Sequence, residues 1–289
     1  MKEKKFLKNI FLTLSVFLVL VNLLFLTIST RISEPLLIKI IFIIVLSFCE
    51  ALILFILITY YSDATKALKR NFLKMIKLEN LNHPLMVKLA RVASGTYNHS
   101  LNVAELATSG AKDIGLDPEY LRLGGYFHDI GKIKNPKIFI ENKSYDRYAK
   151  NVNFLKISRA IIEHVTYGQK LARQYNLPDE VVEYVGQHHG SSTIESLKGK
   201  VPVKNLQYPG PKPLSRKAAI LMLADSIEAH VRSLNSKTEK KIIETVNYEI
   251  DHKASEGQLD LSGLSMKEVN LLKKSYVKSV LSIYHMRKI

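Results

Sequence analysis

Two apolar runs in the first sixty residues constrain this chain more than any other feature. From Asn9 to Thr30 there are 22 residues without a formal charge, most of them Leu, Ile, Val or Phe. About 20 such residues cross a bilayer as a helix. A polar turn with Arg31, Glu34 and Pro35 follows, and Ile40 to Tyr61 forms a second run of 22 residues broken only by Glu50. The pair predicts a transmembrane hairpin over residues 1–61, with spans at about 9–30 and 40–61, and argues against a purely soluble protein. A cleaved signal peptide fits worse, because the run exceeds an ordinary signal core and no small-x-small cleavage site follows it.

Lys2, Lys4, Lys5 and Lys8 precede the first span, and Lys66, Lys69, Arg70, Lys74 and Lys77 follow the second. The turn between has only Arg31, with Lys39 at its edge. Lys and Arg stay on the cytoplasmic side, so both termini are expected in the cytoplasm. Glu50 falls near mid-span, where a carboxylate is costly; pairing with another helix, ligand sensing and plain packing are all open for it. The two short spans leave room for association into a homo-oligomer.

The net charge of +16 is spread along the chain. Part of it suits anionic lipid headgroups and part suits a polyanionic substrate. No aromatic-basic module for nucleic acid is present, so nucleic acid is not an expected partner. A single cysteine, Cys49, excludes a disulfide scaffold. Residues 62–81 have helical periodicity with lysines on the other face and read as a basic juxtamembrane linker.

From residue 82 to 289 the chain reads as a string of helices, with 3.6-residue periods and no sustained alternation. Helices are expected from about Tyr97 to Ile114, Asp117 to Ile130, Ile157 to Tyr175, Pro178 to His188 and Leu214 to Leu234. One or two more cover Leu264 to Arg287. The fold class is therefore all-α, a two-helix hairpin and helical linker followed by an all-α domain.

The chemistry lies in how the nine histidines fall. His83, His230, His252 and His285 look incidental. His99, His128, His164, His188 and His189 stand at or near helix ends, close to acidic residues. Imidazole nitrogens and carboxylate oxygens are the usual ligands of iron, manganese and zinc. At a helix terminus two adjacent residues such as His128 and Asp129 can turn onto one centre, and Gly131 marks such a terminus.

The string His128-Asp-Ile-Gly-Lys132 resembles the signature of the HD superfamily of metal-dependent phosphohydrolases. In that resemblance His99, His128, Asp129 and Asp225 match the four ligands of the basic site. His164, His188 and His189 match the added ligands of its two-metal subset, with Asp129 as bridge. Gly95-Thr-Tyr-Asn-His-Ser100, Phe139-Ile-Glu-Asn142, Tyr208-Pro-Gly-Pro-Lys-Pro213, Ala224-Asp-Ser-Ile-Glu-Ala229 and Gly257-Gln-Leu-Asp260 narrow the likeness. Together they resemble the cytoplasmic domain of the PgpH-type, seven-transmembrane HD family, over about residues 82–289.

What the resemblance implies is a bacterial membrane enzyme with two divalent ions, iron or manganese. It would convert cyclic di-AMP to pApA by attack of a metal-bridging hydroxide on phosphorus. Asp129 would fix the metal pair, Lys132 would meet a phosphate oxygen, and Arg232 and Lys212 are further candidates for phosphate. Glu163 and Glu228 are candidates for orienting ligand imidazoles. Three departures stand out. The chain has room for two spans rather than seven, Asn98 replaces a first histidine before Ser100, and residues 144–156 replace an Asn-Pro-His-Asp run. The alternatives are an HD phosphodiesterase for another cyclic or linear dinucleotide, or a non-catalytic nucleotide-binding membrane receptor. The cyclic di-GMP branch carries Gly-Tyr-Pro after its paired histidines, whereas Gly190-Ser-Ser-Thr-Ile194 follows here.

Overall fold

The computed structural model describes residues 35–142 and 153–285, with Asn22 and Thr27 of the first apolar run; side chains at 39, 42, 43, 58, 285 and most of 61–77 lie outside that description. The described residues are all-helical, apart from one antiparallel bridge between Thr193 and Gln207. Two compact units divide at Lys74 and Met75.

In the first unit, α1 (Leu36–Glu79) takes in the second apolar run and carries on through the basic stretch without a break. Ile41, Ile44, Phe48 and Phe55 stand exposed along it. Glu50 is paired: Asn22 Nδ2 donates to its two carboxylate oxygens at 2.9 and 2.8 Å. Among the described residues no helix is long and apolar enough to cross a membrane. The rest of the first run lies outside the described residues.

The second unit contains α2 (Pro84–Val92), α3 (Ser94–Asp113), α4 (Glu119–Phe127), α5 (Phe154–Gln174), α6 (Asp179–Gln187), α7 (Arg216–Ser233), α8 (Glu239–Ser255) and α9 (Met266–His285). Local chemistry sets several ends. Pro84 sits where its missing N–H costs nothing, and the His83 ring caps α2 by accepting from the Leu85 N–H. Ser265 and Glu268 close a reciprocal capping box at the start of α9.

The central helix is α7, buried nearly all round from Ala218 to Ala224 and again at Ile227 and Val231. Each of its fully buried Leu and Ile side chains contributes roughly 1.5–3 kcal/mol of transfer free energy. Small residues let the helices beside it come close. A Cβ on Gly125 of α4 would lie 2.3 Å from the Ala104 Cα of α3. On the outer side α9 buries Val269, Leu272, Tyr276 and Val280, and the Tyr276 hydroxyl donates to Ile220 O at 2.8 Å. A second cluster joins Met75, Leu78, Leu85, Met86 and Leu89 to Phe127, Ile130 and Val181.

The helical expectations are revised at three points. The helix expected to reach Ile130 ends at Phe127, and Ile130–Lys134 is a 3₁₀ turn. Gly131 is the reason the chain can turn there. A Cβ on it would fall 1.8 Å from the His164 carbonyl oxygen, so only glycine lets the turn lie against α5. Neither α2 nor α8 was expected. Helix α8 starts at the Thr238 cap and buries Ile242, Thr245, Val246 and Ile250.

Candidate metal centre

All seven side chains expected as ligands converge where α3, α4, α5, α6 and α7 meet. Asp129 is 1% exposed and lies between two groups. Its Oδ2 stands 3.6 Å from His99 Nε2 and 3.3 Å from His128 Nε2. Its Oδ1 stands 3.3 Å from His164 Nε2 and 3.7 Å from His188 Nε2. Asp225 Oδ1 lies 3.0 Å from His99 Nε2 and 3.6 Å from His128 Nε2, while its Oδ2 lies 3.6 Å from His189 Nδ1.

Helix ends produce this convergence. His128 terminates α4 and His188 terminates α6, so their following residues, Asp129 and His189, leave the helical path and turn inward. His99 and His164 come from the middles of α3 and α5, and Asp225 from the middle of α7. Three imidazoles are fixed by the same device. His128, His164 and His188 donate from Nδ1 to the carbonyls of Gly125, Ile161 and Val185, each three residues earlier. A carbonyl can only accept, so Nδ1 carries the proton of the neutral ring and Nε2 carries the lone pair that a cation needs.

The residues fit bound metal on their own chemistry. His128 Nε2 and both Asp129 oxygens are buried without a hydrogen-bond partner. Lys132 Nζ is 2.7 Å from Asp129 Oδ2, an ion pair that lacks hydrogen-bond geometry. Such orphaned buried polar atoms are costly, and cations between them remove the cost. Two sets of ligand atoms are close enough to hold an ion, His99–His128–Asp129 and Asp129–His164–His188–His189.

The electrostatics follow the grouping. Burial penalises charge on His99, but Glu228 and Asp225 outweigh it and raise the pKa. Burial of His128 is outweighed by Asp129 and Asp225, which lift it to about 10. Burial lowers His188, and it lowers His189 further with His188 adding to the effect. Burial opposes charge on Asp129 and Asp225 too, yet Lys132 and His128 hold the first, and His128 and His99 the second, well below the usual carboxylate range.

Lys132 sits at the rim of the centre. Its second partner is Glu141 Oε1 at 2.9 Å, which also accepts from Thr96 Oγ1 at 2.8 Å. Burial is outweighed by Lys132 in setting the Glu141 pKa at about 2. The neighbouring Asn142 Oδ1 accepts from the Gly95 and Thr96 N–H groups at the start of α3. The motif Phe139-Ile-Glu-Asn142 thus ties the loop to the helix that carries His99. This tie is a role the sequence did not disclose.

The other candidates lie further out. Arg232 Nη1 pairs with Glu228 Oε2 at 3.1 Å. Lys212 Nζ is 3.9 Å from Asp260 Oδ2. Glu163 pairs with Lys134 rather than with an imidazole, and Glu228 does meet one, at His99 Nδ1. Tyr208, in the proline-rich loop, stacks on His189 with ring centroids 4.3 Å apart. A cavity of about 300 Å³ is lined by Asn98, Asn102, Arg232, Lys237 and Tyr284 beside His99 and Glu141.

Known proteins show the same arrangement of chain. Residues 96–230 match the HD domain family. The cyclic-di-AMP phosphodiesterase PgpH of Bacillus subtilis (strain 168) is 35% identical over 223 residues, which is 74% of this chain and 31% of the relative. The crystal structure of the HD domain of the Listeria monocytogenes phosphodiesterase PgpH is 31% identical with a TM-score of 0.67, over 71% of this chain and all of that one. The same domain solved in complex with cyclic-di-AMP matches at 30% identity and a TM-score of 0.65, over 70% of this chain and 98% of that one. This chain belongs to the HD domain family, in its PgpH-type branch. It spans about a third of the length of the curated PgpH relatives that it matches.

Proposed function

We propose that this chain hydrolyses cyclic di-AMP to pApA at a two-cation centre and that its N-terminal hairpin anchors it in the cytoplasmic membrane of a bacterium. The observation that carries the reaction is Asp129, whose two oxygens face separate histidine groups. The likeness to an HD domain solved with cyclic-di-AMP supports the substrate. When bound, a pair of divalent cations, iron or manganese, supplies Lewis acidity at phosphorus and lowers the pKa of water. His99, His128 and Asp225 would hold one and His164, His188 and His189 the other, with Asp129 shared.

The remaining residues bind and orient. Lys132 is kept charged by Asp129 and Glu141, and it offers its ammonium to a non-bridging phosphate oxygen. The cavity beside His99 offers Arg232, Lys237 and two asparagine amides to the part of the dinucleotide not under attack. Lys212 supplies a further positive charge from the proline-rich loop. The hairpin rests on the two apolar runs, the lysines on both outer flanks, and the pairing of Glu50 with Asn22. The domain following it would then face the cytoplasm, with the basic stretch against anionic headgroups and the spans free to self-associate.

Hydrolysis by the purified full chain, anaerobically with iron or manganese, tests the reaction. Cyclic di-AMP, cyclic di-GMP and pApA would run in parallel. Turnover of cyclic di-AMP to pApA alone is expected; preference for another dinucleotide would overturn the substrate, and two bound ions without turnover would favour a receptor. Carbonate-resistant sedimentation with membranes tests the anchor, which release into the supernatant would overturn.

A further inference from the structure

The imidazoles of the centre are not all oriented by the same kind of partner. His128, His164 and His188 each donate from Nδ1 to a neutral backbone carbonyl. His99 alone of these four meets a carboxylate at Nδ1, that of Glu228. Glu228 is 2% exposed and held at both oxygens, by Asn102 Nδ2 on Oε1 at 3.0 Å and by Arg232 Nη1 on Oε2 at 3.1 Å. It stands three residues after Asp225 on α7, so one face of that helix carries both a ligand and the support of another ligand.

The support behind the imidazoles around Asp129 is therefore uneven. Beside Oδ2 stand two imidazoles, Asp225 Oδ1 and the Lys132 ammonium, with Glu228 behind His99. Beside Oδ1 stand His164 and His188, whose supports are uncharged carbonyls, and His189, which faces Asp225 Oδ2. A carboxylate accepting from Nδ1–H fixes the tautomer and makes Nε2 a stronger donor than a carbonyl does. Arg232 offsets part of that charge: its side chain is a third exposed overall, but the Nη1 that faces Glu228 is buried with it.

Resting on the two-cation reading above, we propose that Glu228, held by Asn102 and Arg232, is the positioning residue for His99 and makes the His99–His128–Asp225 position the tighter of the two. Arg232 then acts on the centre through Glu228 in addition to lining the cavity.

Manganese titration of the full-length protein in detergent, read by the EPR signal of free Mn²⁺ and by calorimetry, tests this. The wild type should bind two ions in two classes of unequal affinity. Glu228→Gln should weaken the tighter class by about 10- to 100-fold and leave the weaker class in place. Asn102→Ala keeps the carboxylate and removes one strut, so it should shift the same class by less; circular dichroism and thermal melts check that both variants fold. Two ions bound with the tighter class unmoved by Glu228→Gln, or with only the weaker class moved, would overturn the assignment. One ion per wild-type chain would overturn the two-cation reading itself, and the assignment with it.

Discussion

The two sides of Asp129 are built from the same residue types in different settings. On the Oδ2 side, His99 and His128 face Asp225, and a buried glutamate stands behind the first ring. On the Oδ1 side, His164 and His188 rest on backbone carbonyls, and His189 rests on the Tyr208 ring. Burial is nearly complete on the first side, while His189 on the second keeps 24% of its side chain exposed. The lesson is that ligand identity does not set the properties of a position. The partner behind each ring, and the access of water to it, give one side a carboxylate-backed imidazole in a closed setting and the other carbonyl-backed imidazoles in a more open one.

The strongest way to break the comparison is to remove what both sides share. Asp129→Asn should take hydrolysis to background and lower affinity at both positions; a variant that lost only one ion would contradict the bridging role. Glu141 lies outside both sides and should act on stability. Its folded pKa of about 2 is below the ordinary 4.5, so its contribution, roughly 3 kcal/mol, is present above pH 4.5 and fades as pH falls towards 2. Denaturant melts of Glu141→Gln should show a shallower loss of stability over that window than the wild type. Lys132→Gln should retain both ions yet lower turnover by about 100-fold; loss of an ion would assign Lys132 to the metal positions instead. The finest test is Tyr208→Ala. A stacked ring contributes about 0.5–1.5 kcal/mol, so affinity should fall by roughly 2- to 10-fold on the Oδ1 side only, read in the same manganese titration.

Part of the candidate centre was legible in the sequence because the dipeptides His128-Asp129 and His188-His189 stand out at helix ends, whereas His99, His164 and Asp225 lie within helices rather than at their ends. Gly131 after the first dipeptide marked the turn, and the structure shows why no side chain fits there. Contacts that depend on long-range packing were hidden. Nothing in the spacing could show that Glu141 would bridge Lys132 and Thr96 or that Asn142 would hold the start of α3. Arg232 looked like a free cation because the i, i+4 partner that holds it, Glu228, was itself ambiguous. The helix α8 escaped for a different reason. Its buried Ile242, Thr245, Val246 and Ile250 keep helical spacing, but three of the four flank or join β-branched pairs that blur the period.

The account stands or falls on whether two cations sit on opposite oxygens of one carboxylate. Anomalous X-ray diffraction from manganese-loaded crystals of the full chain measures that directly. Two anomalous peaks are expected, one beside Asp129 Oδ2 among His99, His128 and Asp225, and one beside Oδ1 among His164, His188 and His189. A single peak, or a pair that does not share Asp129, would contradict it.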